Sequence, residues 1–98
     1  MKGFEKSWLK GQAHSLTHIA QVGKDGLSDG TIKFINQALD SHELIKVKFL
    51  DFKDQKKELS KKIVDSTNSE QVGIIGNILI LFRQNSDPEK RKIILPTR

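Results

Sequence analysis

The chain has 98 residues and no cysteine, and its 17 lysines and arginines outnumber 12 acidic residues to give a net charge of +5. This length supports one domain with one core, and the lack of cysteine excludes disulfides and thiolate metal sites. The basic balance favours a polyanionic partner, although charge alone is an unspecific signal because many small basic proteins carry it.

The first predicted elements are a helix over residues 3–15 and a short strand over residues 18–22. In the helix, apolar residues including Trp8 fall on one arc, while Lys6 and Lys10 lie four positions apart on the other side. Trp8 is interpreted as a core anchor, with a base-stacking platform as the less favoured alternative. The strand is predicted from alternating apolar positions that end at a glycine.

A glycine-bracketed loop follows this strand and leads into a second helix. Residues 22–28 read VGKDGLS, and glycines on both sides of a lysine and an aspartate let the backbone turn sharply and approach a partner closely. Ser28 is predicted to cap the helix over residues 29–41. Unpaired amides and the positive helix end beside Lys24 favour a phosphate ligand. The four-residue pattern alone is unspecific, since residues 73–76 repeat it in an apolar, strand-like context.

The clearest strand signal covers residues 43–50. Apolar side chains alternate there with Lys46 and Lys48, which places both lysines on one face of the sheet. Residues two apart in a strand are separated by about 7 Å, which is close to the spacing of successive phosphates. A solvated outer face of the sheet is an equally favoured interpretation of the same pattern.

The remaining chain is predicted to form a third helix and a hairpin. The helix begins with an Asp54 cap and runs to about residue 66. Strands over residues 71–75 and 78–83 are joined by a Gly-Asn turn. The second strand is apolar on both faces, so we expect it inside the sheet, with Arg83 at its end.

These elements follow the order α-β-α-β-α-β-β within a single domain over residues 1–98. Residues 85–98 form a basic C-terminal segment, in which residues 93–95 are a candidate edge strand. A strand-helix-strand unit gives parallel neighbours and a hairpin adds an antiparallel one. The sequence therefore predicts an α/β (α+β) fold with two layers and a mixed four-stranded sheet.

The pattern of polar residues indicates no enzyme, cofactor or membrane partner. The loop lacks the ending of a nucleotide triphosphate loop, and no dinucleotide fingerprint, nucleophile triad or isolated carboxylate pair is present. His14, His18 and His42 are disfavoured as metal ligands because no cysteine accompanies them. No apolar run could span a bilayer or serve as a signal peptide, so we expect a cytoplasmic protein without a small-molecule substrate.

Several segments together carry a resemblance to a known family. They are residues 9–16 (LKGQAHSL), 22–28 (VGKDGLS), 38–39 (AL), 42–48 (HELIKVK), 80–83 (ILFR) and 92–96 (KIILP). Over nearly the whole chain they resemble the CRM domain (chloroplast RNA splicing and ribosome maturation), whose stand-alone bacterial form is the YhbY-like RNA-binding protein. The combination of HELIKVK with the glycine loop is far more specific than either motif alone.

The resemblance implies an RNA-binding domain similar in fold to the C-terminal domain of a bacterial translation initiation factor. It also implies an association with precursors of the large ribosomal subunit. The RNA-contacting loop implied by the family consists of Gly23, Lys24, Asp25 and Gly26. The basic surface implied by the family includes Lys46, Lys48 and Arg83. Ser28 stands where the family often has threonine, and it keeps the hydroxyl needed for the helix cap.

The sequence thus predicts a non-enzymatic protein that binds ribosomal RNA during assembly of the large ribosomal subunit. The alternative is a protein-interaction adaptor on the ribosome or on an assembly GTPase, with little direct RNA contact. A subunit of an RNA-modifying enzyme is a third interpretation that no residue supports. Binding through phosphates would fall steeply with salt, whereas adaptor binding would survive nuclease and depend little on salt.

Overall fold

Residues 1–97 are described by a computed structural model and form three α-helices and one four-stranded sheet. The helices and strands are, in chain order, α1 (Gly3–Ala13), β1 (Ala20–Val22), α2 (Asp29–His42), β2 (Leu44–Phe49), α3 (Lys56–Thr67), β3 (Glu70–Ile75) and β4 (Ile78–Phe82). The predicted element order is confirmed, and no boundary moves by more than about two residues. None of these helices is long and apolar enough to cross a membrane.

The sheet has the strand order β1-β2-β4-β3, with one parallel pair, β1–β2, and antiparallel pairs elsewhere. The predicted mixed sheet is confirmed, and β4 lies inside it, as expected for a strand that is apolar on both faces. The parallel register pairs Gln21 with Lys48 and Val22 with Phe49. The end of β1 therefore meets the end of β2 beside the glycine loop.

Alternating strand positions bury two apolar clusters on opposite faces of the sheet. The larger cluster lies between the sheet and α2 and α3, and its largest members include Ile35, Leu39, Ile45, Phe49, Ile63 and Leu81. The smaller cluster lies on the other face and consists of Leu9, Ala13, Leu44, Val72, Ile80 and Phe82. The sheet with α2 and α3 forms the two predicted layers, and α1 adds cover to part of the opposite face.

Trp8 is half-buried on α1 and packs against the smaller cluster. This position fits the interpretation of Trp8 as a core anchor rather than as a base-stacking platform. The hairpin between β3 and β4 turns at Gly76 and Asn77, as predicted, and Gly76 has a φ of 59° that glycine adopts without strain. The second pair of closely spaced glycines is therefore part of a strand and its turn.

The start of α3 differs from the prediction. Asp54 does not cap the helix, because Lys53–Gln55 form a 3-10 turn and Gln55 occupies the cap position without a side-chain hydrogen bond. Phe52, just before this turn, has a left-handed backbone with a φ of 55°. The turn is closed by local hydrogen bonds, from the Phe52 amide to the Asp51 carboxylate and from the Gln55 amide to the Phe52 carbonyl.

The prediction of an edge strand at residues 93–95 is also wrong. The amides of Lys92 and Ile93 donate to the buried carboxylate of Glu43 at 2.6 and 2.8 Å. These two amides thus donate to a side chain, whereas the amides of an edge strand would donate to the backbone of a neighbouring strand. Ile93 and Leu95 pack instead against the smaller apolar cluster.

Candidate nucleic-acid interface

The glycine loop between β1 and α2 is a tight turn that exposes a lysine at its tip. The amide of Gly26 donates to the carbonyl of Gly23 at 3.0 Å, and Gly26 has a φ of 67°. Lys24 and Asp25 are both exposed. Within residues 1–97, no hydrogen bond or ion pair engages the ammonium group of Lys24. The loop therefore exposes a basic side chain between two glycines.

The start of α2 lies directly behind this loop, and Ser28 caps it as predicted. The Ser28 hydroxyl accepts a hydrogen bond from the Thr31 amide at 3.1 Å. The remaining amides of the first turn have no partner within the helix, and this end of the helix carries a partial positive charge. Exposed acidic side chains at Asp25 and Asp29 partly offset that charge. The loop therefore combines unpartnered helix amides and one lysine with two nearby carboxylates, and it has no excess of positive side chains.

Residues 50–55 form a wall beside the loop. The Val22 carbonyl accepts hydrogen bonds from the amides of Leu50 and Asp51 at 2.9 and 3.2 Å. The ring of Phe52 lies against Gly26, where an added β-carbon would be 3.6 Å from the nearest ring atom. Residues 50–55 also line an open groove of about 520 Å³. The loop and this segment are thus one continuous surface.

The two lysines of β2 have different environments. Lys48 pairs with Gln21, one residue before β1 ends at the glycine loop, and it is half-buried. Lys46 donates to the carbonyls of His14 and Leu16 at 3.3 and 2.9 Å, just after the end of α1. Lys46 therefore fastens α1 to the sheet, whereas no described contact occupies the ammonium group of Lys48 within residues 1–97.

Arg83 lies at the other end of the sheet. Its amide donates to the carbonyl of Glu43 at 2.9 Å, next to the start of β2, and a strand of six residues separates that point from the loop by about 20 Å. Its guanidinium donates to the Thr67 carbonyl at 2.6 Å, the Asn36 carbonyl at 2.8 Å and the Asp40 carboxylate at 2.9 Å. Arg83 thus joins α2, α3 and β4, and the structure does not bring it together with the loop.

Two further residues, Lys10 and Phe52, carry no functional signal in the sequence. Lys10 extends from α1 across Gly73, where an added β-carbon would lie 2.6 Å from the lysine stem. With His14 and Lys46 it lines a small pocket of about 130 Å³. Phe52 is the second residue. Its only sequence signal is an aromatic residue between two charged ones, outside any periodic stretch.

Glu43 is a buried carboxylate that holds the C-terminal segment. It accepts hydrogen bonds from the amides of Asn85, Lys92 and Ile93 at 2.6, 2.6 and 2.8 Å. Burial by itself raises the pKa, but the three amide donors and the positive charge of Arg91 outweigh it, so the pKa of Glu43 lies below its ordinary value. The side chain is therefore ionised at neutral pH and serves the fold rather than the loop.

The histidines are dispersed. His42 is the last residue of α2, where a basic side chain suits the helix dipole. His18 is half-buried, and its Nε2 lies 3.1 Å from the side-chain amide nitrogen of Gln21. Among residues 1–97, no group of three histidine, cysteine, aspartate or glutamate side chains is placed to hold a metal ion.

These features define a small α+β domain in which an exposed glycine-lysine loop connects β1 to α2 within a parallel β-α-β unit. The family model of the CRS1 / YhbY (CRM) domain matches residues 1–83, and the protein belongs to this family. The resemblance seen in the sequence motifs is thereby confirmed.

Two relatives of the chain are matched over nearly their whole length. A Haemophilus influenzae protein named RNA-binding protein is 41% identical over 95 residues, which are 96% of this chain and 93% of that protein. The Bacillus subtilis protein YqeI, named a probable RNA-binding protein, is 38% identical over 97 residues, which are 98% and 99% of the two chains. The solution structure of the hypothetical protein SAV1595 from Staphylococcus aureus superposes with a TM-score of 0.80 and 35% identity, covering 98% and 99% of the two chains. The fold is therefore shared with a solved structure.

Proposed function

We propose that this protein binds RNA through a surface formed by the glycine loop, the start of α2 and the adjacent end of β2. The observation that carries the proposal is the exposed Lys24 between two glycines at the positively polarised end of α2. It stands in a chain of the CRM family whose relatives are named RNA-binding proteins. Backbone amides and a lysine in this arrangement bind phosphate oxygens without reading a base.

The two glycines have different parts in this proposal. A β-carbon at Gly23 would meet nothing within 4 Å, so the position is open and a phosphate can approach the backbone there. Gly26 provides the left-handed turn that closes the loop. KH domains use a loop with the same glycine spacing to clamp a nucleic-acid backbone. The proposal gives this loop the same task.

The basic surface around the loop is proposed to include Lys48 directly. Lys46 contributes by holding the end of α1, and Arg83 contributes by joining α2 and α3 to β4. Both cations support the interface through the fold, since their charges are already satisfied by carbonyl or carboxylate oxygens. RNA affinity is then expected to come mainly from Lys24, Lys48 and the loop backbone.

The finer proposal is that the RNA is ribosomal and that binding occurs on precursors of the large ribosomal subunit. It rests on the family resemblance and places the protein in the cytoplasm, with the assembling ribosomes. The relatives are named as an RNA-binding protein and a probable RNA-binding protein. The proposal accordingly assigns the protein binding without a catalytic step.

A protein-interaction adaptor is the second candidate, and one apolar patch favours it. Phe34 on α2 and Ile19 just before β1 are 50% and 37% exposed, and both line the same shallow depression. Exposed apolar side chains that cluster in this way often mark a protein contact. The patch lies along the β1 edge of the sheet and borders the first turn of α2.

Sedimentation of tagged protein through a sucrose gradient separates these functions. We expect the protein to migrate with particles near the large ribosomal subunit and to leave them after ribonuclease treatment or at high salt. Migration with particles that survives both treatments would favour the adaptor. Migration at the top of the gradient under every condition would contradict the ribosomal proposal.

A further inference from the structure

We propose that Phe52 is a base-stacking residue, and that its ring receives an unpaired nucleobase of an RNA strand whose phosphate lies on the glycine loop. The inference rests on the proposed function. It adds the state of the RNA, which is single-stranded at this point, and the side chain that selects it.

The first step is the position of the ring. Phe52 is 36% exposed and Leu50 is 48% exposed, so two large apolar side chains face solvent in the groove beside the loop. The ring edge stands 3.6 and 3.8 Å from the site of a β-carbon on Gly26. A nucleotide whose phosphate contacts the loop therefore has its base within reach of this ring.

The second step is the backbone that presents the ring. A left-handed conformation, with a φ of 55°, is unusual for an aromatic residue. It is fixed on both sides, because the Phe52 amide donates to the Asp51 carboxylate at 2.8 Å and its carbonyl accepts from the Gln55 amide at 2.9 Å. The backbone that carries the ring is thus fixed before any ligand arrives, which reduces the backbone entropy lost on binding.

The third step is the chemistry that fits this surface. Exposed Lys53 follows the ring in the groove, which Asp51 and Asp54 also line, and exposed Lys24 stands on the loop that the ring contacts at Gly26. Aromatic platforms bordered by cationic groups are how proteins bind single-stranded nucleic acid, because bases stack while lysines neutralise phosphates. In a duplex the bases stack on one another, so none is available to the ring. The occupant is therefore an unpaired base.

The test compares the wild-type protein with three variants. Phe52→Leu removes the aromatic ring but keeps an apolar side chain, and Phe52→Tyr keeps the ring. Phe34→Leu makes the same change at another exposed phenylalanine, which lies on the side of α2 that borders β1. The probe is an adenine-rich single strand of about ten nucleotides, a length within the range that such surfaces cover. Each adenine in turn is replaced by 2-aminopurine, whose fluorescence falls when it stacks.

Binding is measured by titration for the single strand and for a duplex of the same sequence. We expect wild type, Phe52→Tyr and Phe34→Leu to quench the 2-aminopurine fluorescence below the level of the free strand. We expect Phe52→Leu to lose that quenching and to bind the single strand about tenfold more weakly, with its affinity for the duplex unchanged.

Each contrary result has a distinct meaning. Equal quenching and affinity for Phe52→Leu and wild type would overturn the stacking role and leave RNA binding through the loop intact. An equal loss of affinity of Phe52→Leu for the single strand and for the duplex would show that the ring only shapes the loop. That result would also overturn the proposal. If wild type binds neither RNA in a salt-dependent way, the proposed function itself fails. Should Phe52→Leu not fold, the absence of quenching at every position in wild type would decide against stacking.

Discussion

Glu43 is the residue on which the C-terminal segment depends. Its ionised carboxylate accepts three backbone amides, and the folded-state pKa lies below its ordinary value. The unfolded chain therefore binds more protons in the acidic range, so stability falls as the pH drops through that range. The contribution of Glu43 is complete above its unfolded pKa of about 4.3 and is lost as the pH falls through the folded value.

We expect Glu43→Gln to lower the free energy of unfolding at neutral pH by roughly 3 kcal/mol, because a neutral amide offers one acceptor oxygen where the carboxylate offers two. Denaturant unfolding of both proteins from neutral to acidic pH measures the difference. The difference should shrink below about pH 4, since wild type loses the same interaction there. A difference that does not change with pH would contradict the account.

Lys46 and Lys48 both occupy polar positions in the alternating pattern of β2, but they have different roles in the structure. We expect Lys46→Ala to lower stability by about 1 kcal/mol, because it removes the ammonium group from two carbonyls after α1. Lys48→Ala should leave the melting temperature unchanged and weaken RNA binding. Thermal melts and RNA titrations of both variants test this division, and equal effects of the two substitutions on stability would refute it.

At the scale of elements, the periodic stretches could be located from the sequence because their signals are local. The alternation around Lys46 and Lys48 and the Gly-Asn turn each needed only a few residues. Two elements could not be placed in this way. The contact of the Phe52 ring with Gly26 joins segments that are distant in the sequence. The course of residues 93–95 depends on Glu43, which is 50 positions away from Ile93.

The glycine loop offers a matched pair of substitutions at this scale. We expect Gly26→Ala to cost about 1 kcal/mol of stability, because a β-carbon is strained at a φ of 67°. Gly23→Ala should leave stability unchanged, since the position is open and is not left-handed, but it should weaken RNA binding by obstructing the backbone. Melting temperatures and RNA affinities of the two variants decide this. Unchanged RNA affinity in Gly23→Ala would remove the loop backbone from the contact.

At the scale of the whole molecule, the sequence predicted the loop as a candidate site but not the extent of the surface around it. Arg83 shows why. The hairpin signal establishes that β4 runs antiparallel to β3, but it does not establish that β2 is the other neighbour of β4. Only that pairing puts Arg83 beside the start of β2, away from the loop. The family resemblance grouped residues by motif, and the sheet order separates them in space.

The most direct measurement of the central claim is the salt dependence of RNA binding for two substitutions that change opposite charges at the loop tip. Lys24→Gln removes a positive charge, and Asp25→Asn removes a negative charge from the neighbouring exposed residue. If the loop binds phosphate, Lys24→Gln weakens single-stranded RNA binding and reduces the slope of log affinity against log salt by about 0.7. Asp25→Asn strengthens binding, and neither substitution changes the melting temperature. Equal RNA affinities and slopes for wild type and both variants would contradict the claim that the loop is the RNA-binding site.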